Sequence, residues 1–118
     1  MSGNPRTYLT NAFSLNMLPN DTDVIRLRVR RLTPDEAAKK VEYEKRMGRF
    51  VSAVGHADTA RMLSDLLGTY VPANRTTVRI DRYDEAVVAQ YVGPRLPEGT
   101  TRLPDGARME FFSVQIWE

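Results

Sequence analysis

Hydrophobic and polar positions alternate most strictly in VIRLRVRRL, residues 24–32. Ile25, Leu27 and Val29 fall on one side, and Arg26, Arg28 and Arg30 on the other. Period two predicts a half-buried strand. The pattern then lengthens. TPDEAAKKVEYEKRMG (33–48) opens with Thr33, Pro34 and Glu36, a capping box with proline in the first turn, and closes on Gly48. It predicts a helix that turns Ala37, Ala38, Val41 and the stem of Lys45 inward. A second helix is predicted over 56–67, with Ala60, Leu63, Leu66 and Leu67 inward and Gly68 as its stop. Between the two, FVSAVG (50–55) reads as a brief apolar connection.

The remaining apolar stretches are short and rich in strand formers. RTYLTNAF (6–13) reads as the first strand, followed by a loop in which Pro19, Asn20 and Asp21 supply turn residues. TTVRIDRY (76–83) and AVVAQYV (86–92), parted by Asp84 and Glu85, read as a hairpin. The second arm is apolar on both faces except for Gln90, which suits a central strand covered on both sides. RMEFFSVQIW (108–117) reads as the last strand, with Phe112, Val114 and Ile116 on one face. Strands and helices mix without regular alternation. The order predicts an α/β fold: a single mixed sheet of about five strands flanked by helices.

Composition narrows function more than fold. A chain of 118 residues predicts a single domain over 1–118, and 42% hydrophobic content supports a core rather than disorder. No cysteine is present, which excludes disulfides, thiolate nucleophiles and cysteine-type zinc sites. One histidine excludes a histidine-rich metal site within one chain, while an all-carboxylate Mg²⁺ site stays open. A formal charge of +2 with a pI near 9.1 permits an anionic partner and requires none. No apolar run reaches membrane-spanning length, and MSGNPRTYLT is polar with no signal-peptide core. A cytoplasmic protein without a membrane partner is expected.

Candidate chemistry begins with the single histidine. At a helix start, unpaired N–H groups and the positive end of the dipole favour an anion and disfavour imidazolium. A phosphate bound there reverses the second effect, so His56 suits general acid catalysis of phosphodiester cleavage. A capping or half-buried histidine without a chemical role accounts for the same residues. GPRLPEG (93–99) places Arg95 and Glu98 on a loop shaped by two prolines and two glycines. Arginine there can fork onto a phosphate and stabilise a pentacovalent transition state, and glutamate can orient a hydroxyl or the imidazole. An ordinary surface ion pair is the alternative. In NAFSLN (11–16), Asn11, Ser14 and Asn16 suit bases or phosphates and serve equally well as turn residues. PANR (72–75) reads as the turn into the next strand. The arginine row of 24–32 is a phosphate-binding face or, more plainly, a solvated face that discourages edge pairing. No Walker loop, Rossmann fingerprint, HExxH or Ser-His-Asp order is present.

YLTNAFSLNML (8–18), SAVGHADTARMLSDLLG (52–68), VPANRTTVRI (71–80) and QYVGPRLPEG (90–99), in that order, resemble the viral ring nuclease family, anti-CRISPR proteins directed against type III systems. The resemblance implies a homodimer with a mixed sheet and flanking helices. It implies binding of cyclic tetraadenylate and its linearisation without metal or other cofactor. It carries the family's catalytic histidine onto His56 and its active-site arginine and glutamate onto Arg95 and Glu98. Asn11, Ser14 and Gln90 match positions that the family places around the ligand. One histidine per chain then makes sense, because a two-fold dimer brings two to a shared site. Two symmetric cuts would give linear dinucleotides with 2′,3′-cyclic phosphate ends. Two departures stand out. TTRLPDGA (100–107) occupies the place where the family often has a helix, with Pro104 and Gly106 against one. The basic strand of 24–32 and the charged helix after it are particular to this chain. The rival readings are a non-catalytic protein of the same fold that binds a cyclic nucleotide or DNA, and a dimeric interaction domain with a structural His56.

Overall fold

The central strand expected over 86–92 is present as β4, Glu85–Val92, third in a five-stranded sheet. The computed structural model describes residues 5–117; the polar residues 1–4, on which part of the leader expectation rests, and residue 118 lie outside them. The other strands are β1 (Thr7–Thr10), β2 (Leu27–Leu32), β3 (Phe50–Ser52) and β5 (Arg108–Ile116). Their order is β2-β5-β4-β1-β3. β1 runs parallel to both β3 and β4, whereas β5 is antiparallel to β4 and to β2. The sheet is therefore mixed, as the element order predicted.

Two helices cover one face. α1 (Pro34–Arg46) starts at the expected box: Thr33 Oγ1 accepts from the Glu36 amide at 3.0 Å, and Glu36 Oε1 accepts from the Thr33 amide at 2.8 Å. α2 (Ala57–Leu67) ends on Gly68, whose φ of +66° suits a residue without Cβ. Ala37, Val41, Ala60 and Leu63 meet Leu9, Val87 and Phe111 from the sheet. Leu66 is more than a third exposed, and Met62 is buried in its stead. The buried carboxylate of Glu44 ties α1 to the sheet. It accepts from Thr7 Oγ1 at 2.7 Å and from Arg49 Nε and Nη2 at 3.0 and 2.9 Å. Lys40 does the same for β4, at 2.9 Å from Glu85, which also accepts from the Ser113 hydroxyl.

Among the described residues no α-helix covers the other face. Residues 76–83 do not form the expected hairpin arm. They cross this face as irregular chain, with Val78 and Ile80 buried against Tyr8, Ala86, Val88 and Val114. The Ile80 amide donates to the Met17 carbonyl at 2.8 Å, so the segment finds its partner in a loop rather than a strand. Its apolar alternation records one-sided burial, not strand pairing. FVSAVG, read as a connection, supplies β3 instead. The outer side of β3 is closed by residues 71–75: Ser52 Oγ donates to the Pro72 carbonyl at 2.6 Å, and Asn74 Nδ2 to the Ser52 carbonyl at 2.7 Å. β2 is the opposite edge, and Val29 is 57% exposed there.

Candidate active site at the carboxyl edge of the parallel strands

Because β1, β3 and β4 run parallel, their three carboxyl ends leave the sheet along one edge. Open α/β sheets commonly hold ligands outside such ends. β1 delivers Asn11 and, three residues on, Ser14. β3 leads through Gly55 to His56. β4 carries Gln90 near its end and then releases the loop with Arg95 and Glu98. Leu9 pairs in register with Ser52 and Thr10 with Val88, so β1 and β3 end at similar height, whereas β4 runs on four residues to Val92, about 13 Å further. β1 lies between β3 and β4, which are two strand spacings, about 10 Å, apart, and the loop with Arg95 and Glu98 leaves from the far end of β4. The six residues that the resemblance carries over thus lie on, or follow, the carboxyl-terminal halves of these three strands.

His56 is the N-cap of α2, in extended conformation. Its Nδ1 accepts from the Asp58 amide at 3.3 Å, and the Asp58 carboxylate lies 3.8 Å from the same nitrogen. With Nδ1 engaged as acceptor, the proton of the neutral ring sits on Nε2, which becomes the available donor. The side chain is 61% exposed. A neutral ring that gave up its Nε2 proton would become imidazolate, so a general acid here is the imidazolium, whose Nδ1–H gives up the Asp58 amide and faces the Asp58 carboxylate instead.

Arg95 and Glu98 are exposed, and neither makes a hydrogen bond or ion pair with any described residue. They do not form the surface pair that would have been the plain explanation of this loop. Asn11 is exposed just where Thr10 Oγ1, donating to the Ala12 carbonyl at 2.9 Å, turns the chain out of β1. Ser14 has a structural duty: its Oγ accepts from the Asn16 amide at 3.3 Å and caps the 3-10 turn Leu15–Met17. It also lines a hollow of about 680 Å³ with Thr10, Ala53 and Thr76. Gln90 is exposed, although the four residues before it are buried. It borders an apolar hollow on the helix-free face, lined by Phe13, Val29, Val88, Phe112 and Val114.

One further cation reaches this edge. Arg75 lies along the turn before His56, its Nε donating to the Gly55 carbonyl at 3.4 Å. A Cβ at Gly55 would come within 3.0 Å of Arg75 Cγ. Sequence reading left Arg75 in a turn. Its position depends on residues 71–75 running back along β3, which only the Asn74 contacts reveal. The arginine row lies elsewhere, on β2, at the opposite flank of the sheet from β3. There Arg28 sits over the Trp117 ring, 5.3 Å from its centroid. Among the described residues no cluster of three or more histidine and carboxylate groups could hold a metal ion, and no helix is long and apolar enough to cross a membrane.

Residues 7–109 match a protein-family model described as STIV B116-like, a span that includes all six site residues. Uncharacterized protein ORF117 of Acidianus two-tailed virus is 37% identical over 92 residues, covering 78% of this chain and 74% of that protein. Uncharacterized protein 26 of Sulfolobus islandicus filamentous virus is 32% identical over 110 residues, covering 93% and 86%. Uncharacterized protein YddF of Bacillus subtilis is 32% identical over 88 residues, covering 72% and 79%. Among solved structures, B116 of Sulfolobus turreted icosahedral virus matches with a TM-score of 0.78 at 30% identity, over 93% of this chain and 98% of that one.

Proposed function

The chain belongs to the STIV B116-like family, and we propose that it is a metal-independent ring nuclease that binds cyclic tetraadenylate and cuts it to linear dinucleotides. The observation that supports this reading is that one imidazole, one unpaired arginine and one unpaired glutamate all follow the carboxyl ends of strands that run in one direction, β3 and β4. A pure binding module has no need of a proton donor beside its cation.

The nucleophile comes from the substrate, a ribose 2′-hydroxyl in line with the scissile phosphorus. The protein holds that alignment, which is a proximity effect. As imidazolium, with Nδ1–H facing the Asp58 carboxylate, His56 gives its Nε2 proton to the departing 5′-oxygen, while the proton of the attacking hydroxyl passes to water. Arg95 balances the charge that builds on the phosphorane. Glu98 orients the attacking hydroxyl or the imidazole. Asn11 and Ser14 hold phosphate or ribose, and Gln90 lies beneath the ring. The product ends in a 2′,3′-cyclic phosphate, and DNA, without the 2′-hydroxyl, cannot react this way. In the cytoplasm of a cell with a type III CRISPR system, this reaction switches the messenger off.

One chain leaves this edge open, as the exposure of His56 indicates. A homodimer about a two-fold axis closes it and supplies the second histidine. The apolar hollow beside Gln90, with Val29 57% exposed, supports pairing through the helix-free face.

The test is incubation of purified protein with cyclic tetraadenylate in EDTA. Cleavage by wild type and none by His56→Ala that still binds is the expected result. Strict Mg²⁺ dependence, or full activity of His56→Ala, overturns the mechanism. The second reading, a nucleic-acid binder, draws on Arg28 over the exposed Trp117. It calls for binding without turnover and a salt dependence that flattens when Arg26, Arg28 and Arg30 are neutralised.

A further inference from the structure

We infer that Tyr91 is a positioning residue that holds Arg95 in place for the reaction. Its hydroxyl donates to the Pro94 carbonyl at 2.6 Å, the carbonyl of the peptide unit that leads directly into Arg95. The phenol lies across Gly93 so closely that a Cβ there would stand 2.7 Å from the hydroxyl oxygen and 3.0 Å from Cζ. On its other side the same Cβ would meet Ala107 Cβ at 2.8 Å. Gly93 is therefore the one residue type that lets the tyrosine reach over it while the two limbs of the loop 93–107 stay pinched together.

The rest of the loop is tied only to itself. The Thr100 amide and hydroxyl both donate to the Pro97 carbonyl, at 3.3 and 2.6 Å, and the Ala107 amide donates to the Pro104 carbonyl at 3.1 Å. These bonds close local turns. Among the described residues, the bond from Tyr91 is the one that fastens the Arg95 limb back to β4. A transition-state contact gains only if its group is already in place, because ordering backbone during the reaction costs conformational entropy. The tyrosine bears that ordering before the ligand arrives. It touches neither substrate nor reacting atoms, and acts through Arg95.

The inference rests on the ring-nuclease reading for its kinetic test, so the experiment carries a second readout that does not. Tyr91→Phe, Arg95→Ala and the double variant are assayed for single-turnover cleavage of cyclic tetraadenylate and for binding. Tyr91→Phe should keep the ring over Gly93, keep its thermal midpoint and bind normally. Its cleavage rate should fall about five- to tenfold, the worth of one neutral hydrogen bond. In the Arg95→Ala background the same substitution should have no further effect, as coupling through one residue requires. Backbone amide order parameters at residues 95, 96, 98 and 99 should fall in Tyr91→Phe, whether or not the protein is active. Unchanged order parameters, or equal rate losses with and without Arg95, overturn the role of Tyr91. Wild type that is ordered there as expected but leaves cyclic tetraadenylate intact overturns the ring-nuclease reading alone.

Discussion

His56 caps the helix it begins, its Nδ1 taking the amide proton of Asp58 at 3.3 Å. Its capping and the proton donation proposed for it can be separated by substitution. Asparagine is among the preferred N-caps, whereas alanine in its place commonly loses about 1 kcal/mol. His56→Asn should retain the wild-type thermal midpoint, and His56→Ala should melt lower. Both should lose cleavage by roughly 10²–10⁴-fold, the usual worth of a general acid. Single-turnover assays beside melting curves check this, and an active His56→Asn would remove the imidazole from the mechanism.

Glu44 sets the response to acid. Hydrogen bonds from Arg49, and then from Thr7, hold its carboxyl below the usual carboxylate range. A native value below the unfolded one, about 4.3, means that the unfolded chain binds more protons as pH falls. The stabilisation is complete above that unfolded value and is lost as pH drops through the native one. Glu44→Gln should be less stable than wild type at pH 7 by about 1–3 kcal/mol. The two should converge on acidification, as followed by denaturant melts from pH 7 to about pH 3. A constant gap across that range would show that Glu44 does not titrate as described.

Val29, 57% exposed on the helix-free face, reports on self-association. If a second copy covers the hollow it lines, Val29→Asp places a carboxylate in that contact, which destabilises the pair strongly. Sedimentation should find a dimer for wild type and a monomer for Val29→Asp, with the monomer still folded. Cleavage should fall with the dimer. A Val29→Asp protein that remains dimeric places the contact elsewhere.

The arginine row offers a control. Arg26, Arg28 and Arg30 belong to β2 or its approach, at the far flank of the sheet from β3 and His56. Replacing all three by glutamine should leave the cleavage rate within about twofold, since exposed charges beyond a Debye length of about 8 Å are largely screened. Kinetics at 0.15 M salt check this. A large loss would bring β2 into the site and favour nucleic-acid binding as the function.

Legibility in the sequence followed the range over which each signal acts. The box of Thr33 and Glu36 spans four residues and marked the start of α1. Gln90 interrupting an otherwise apolar run marked both the central strand and its exposed polar position. His56 at the head of α2 could be placed without knowing what lay beside it. Other features were set by distant chain. β3 is three residues long and shows no period; it is a strand because β1 pairs with it. Val78 and Ile80 alternate as a strand would, yet the sheet already gives β4 two partners, β5 and β1, and leaves no slot for another. Arg75 and Tyr91 carried no local sign of their neighbours, because both are defined by a glycine that leaves room for them.

Both outer rims of the sheet are denied to strangers. At β3, side chains of Ser52 and Asn74 bond to the main chain and occupy the groups that a foreign strand would seek. At β2, a rank of guanidinium groups makes an approaching strand electrostatically unwelcome. Growth by lateral addition, the route to fibres, is thereby blocked at each end. What the rims refuse, the two faces of the sheet alone could offer.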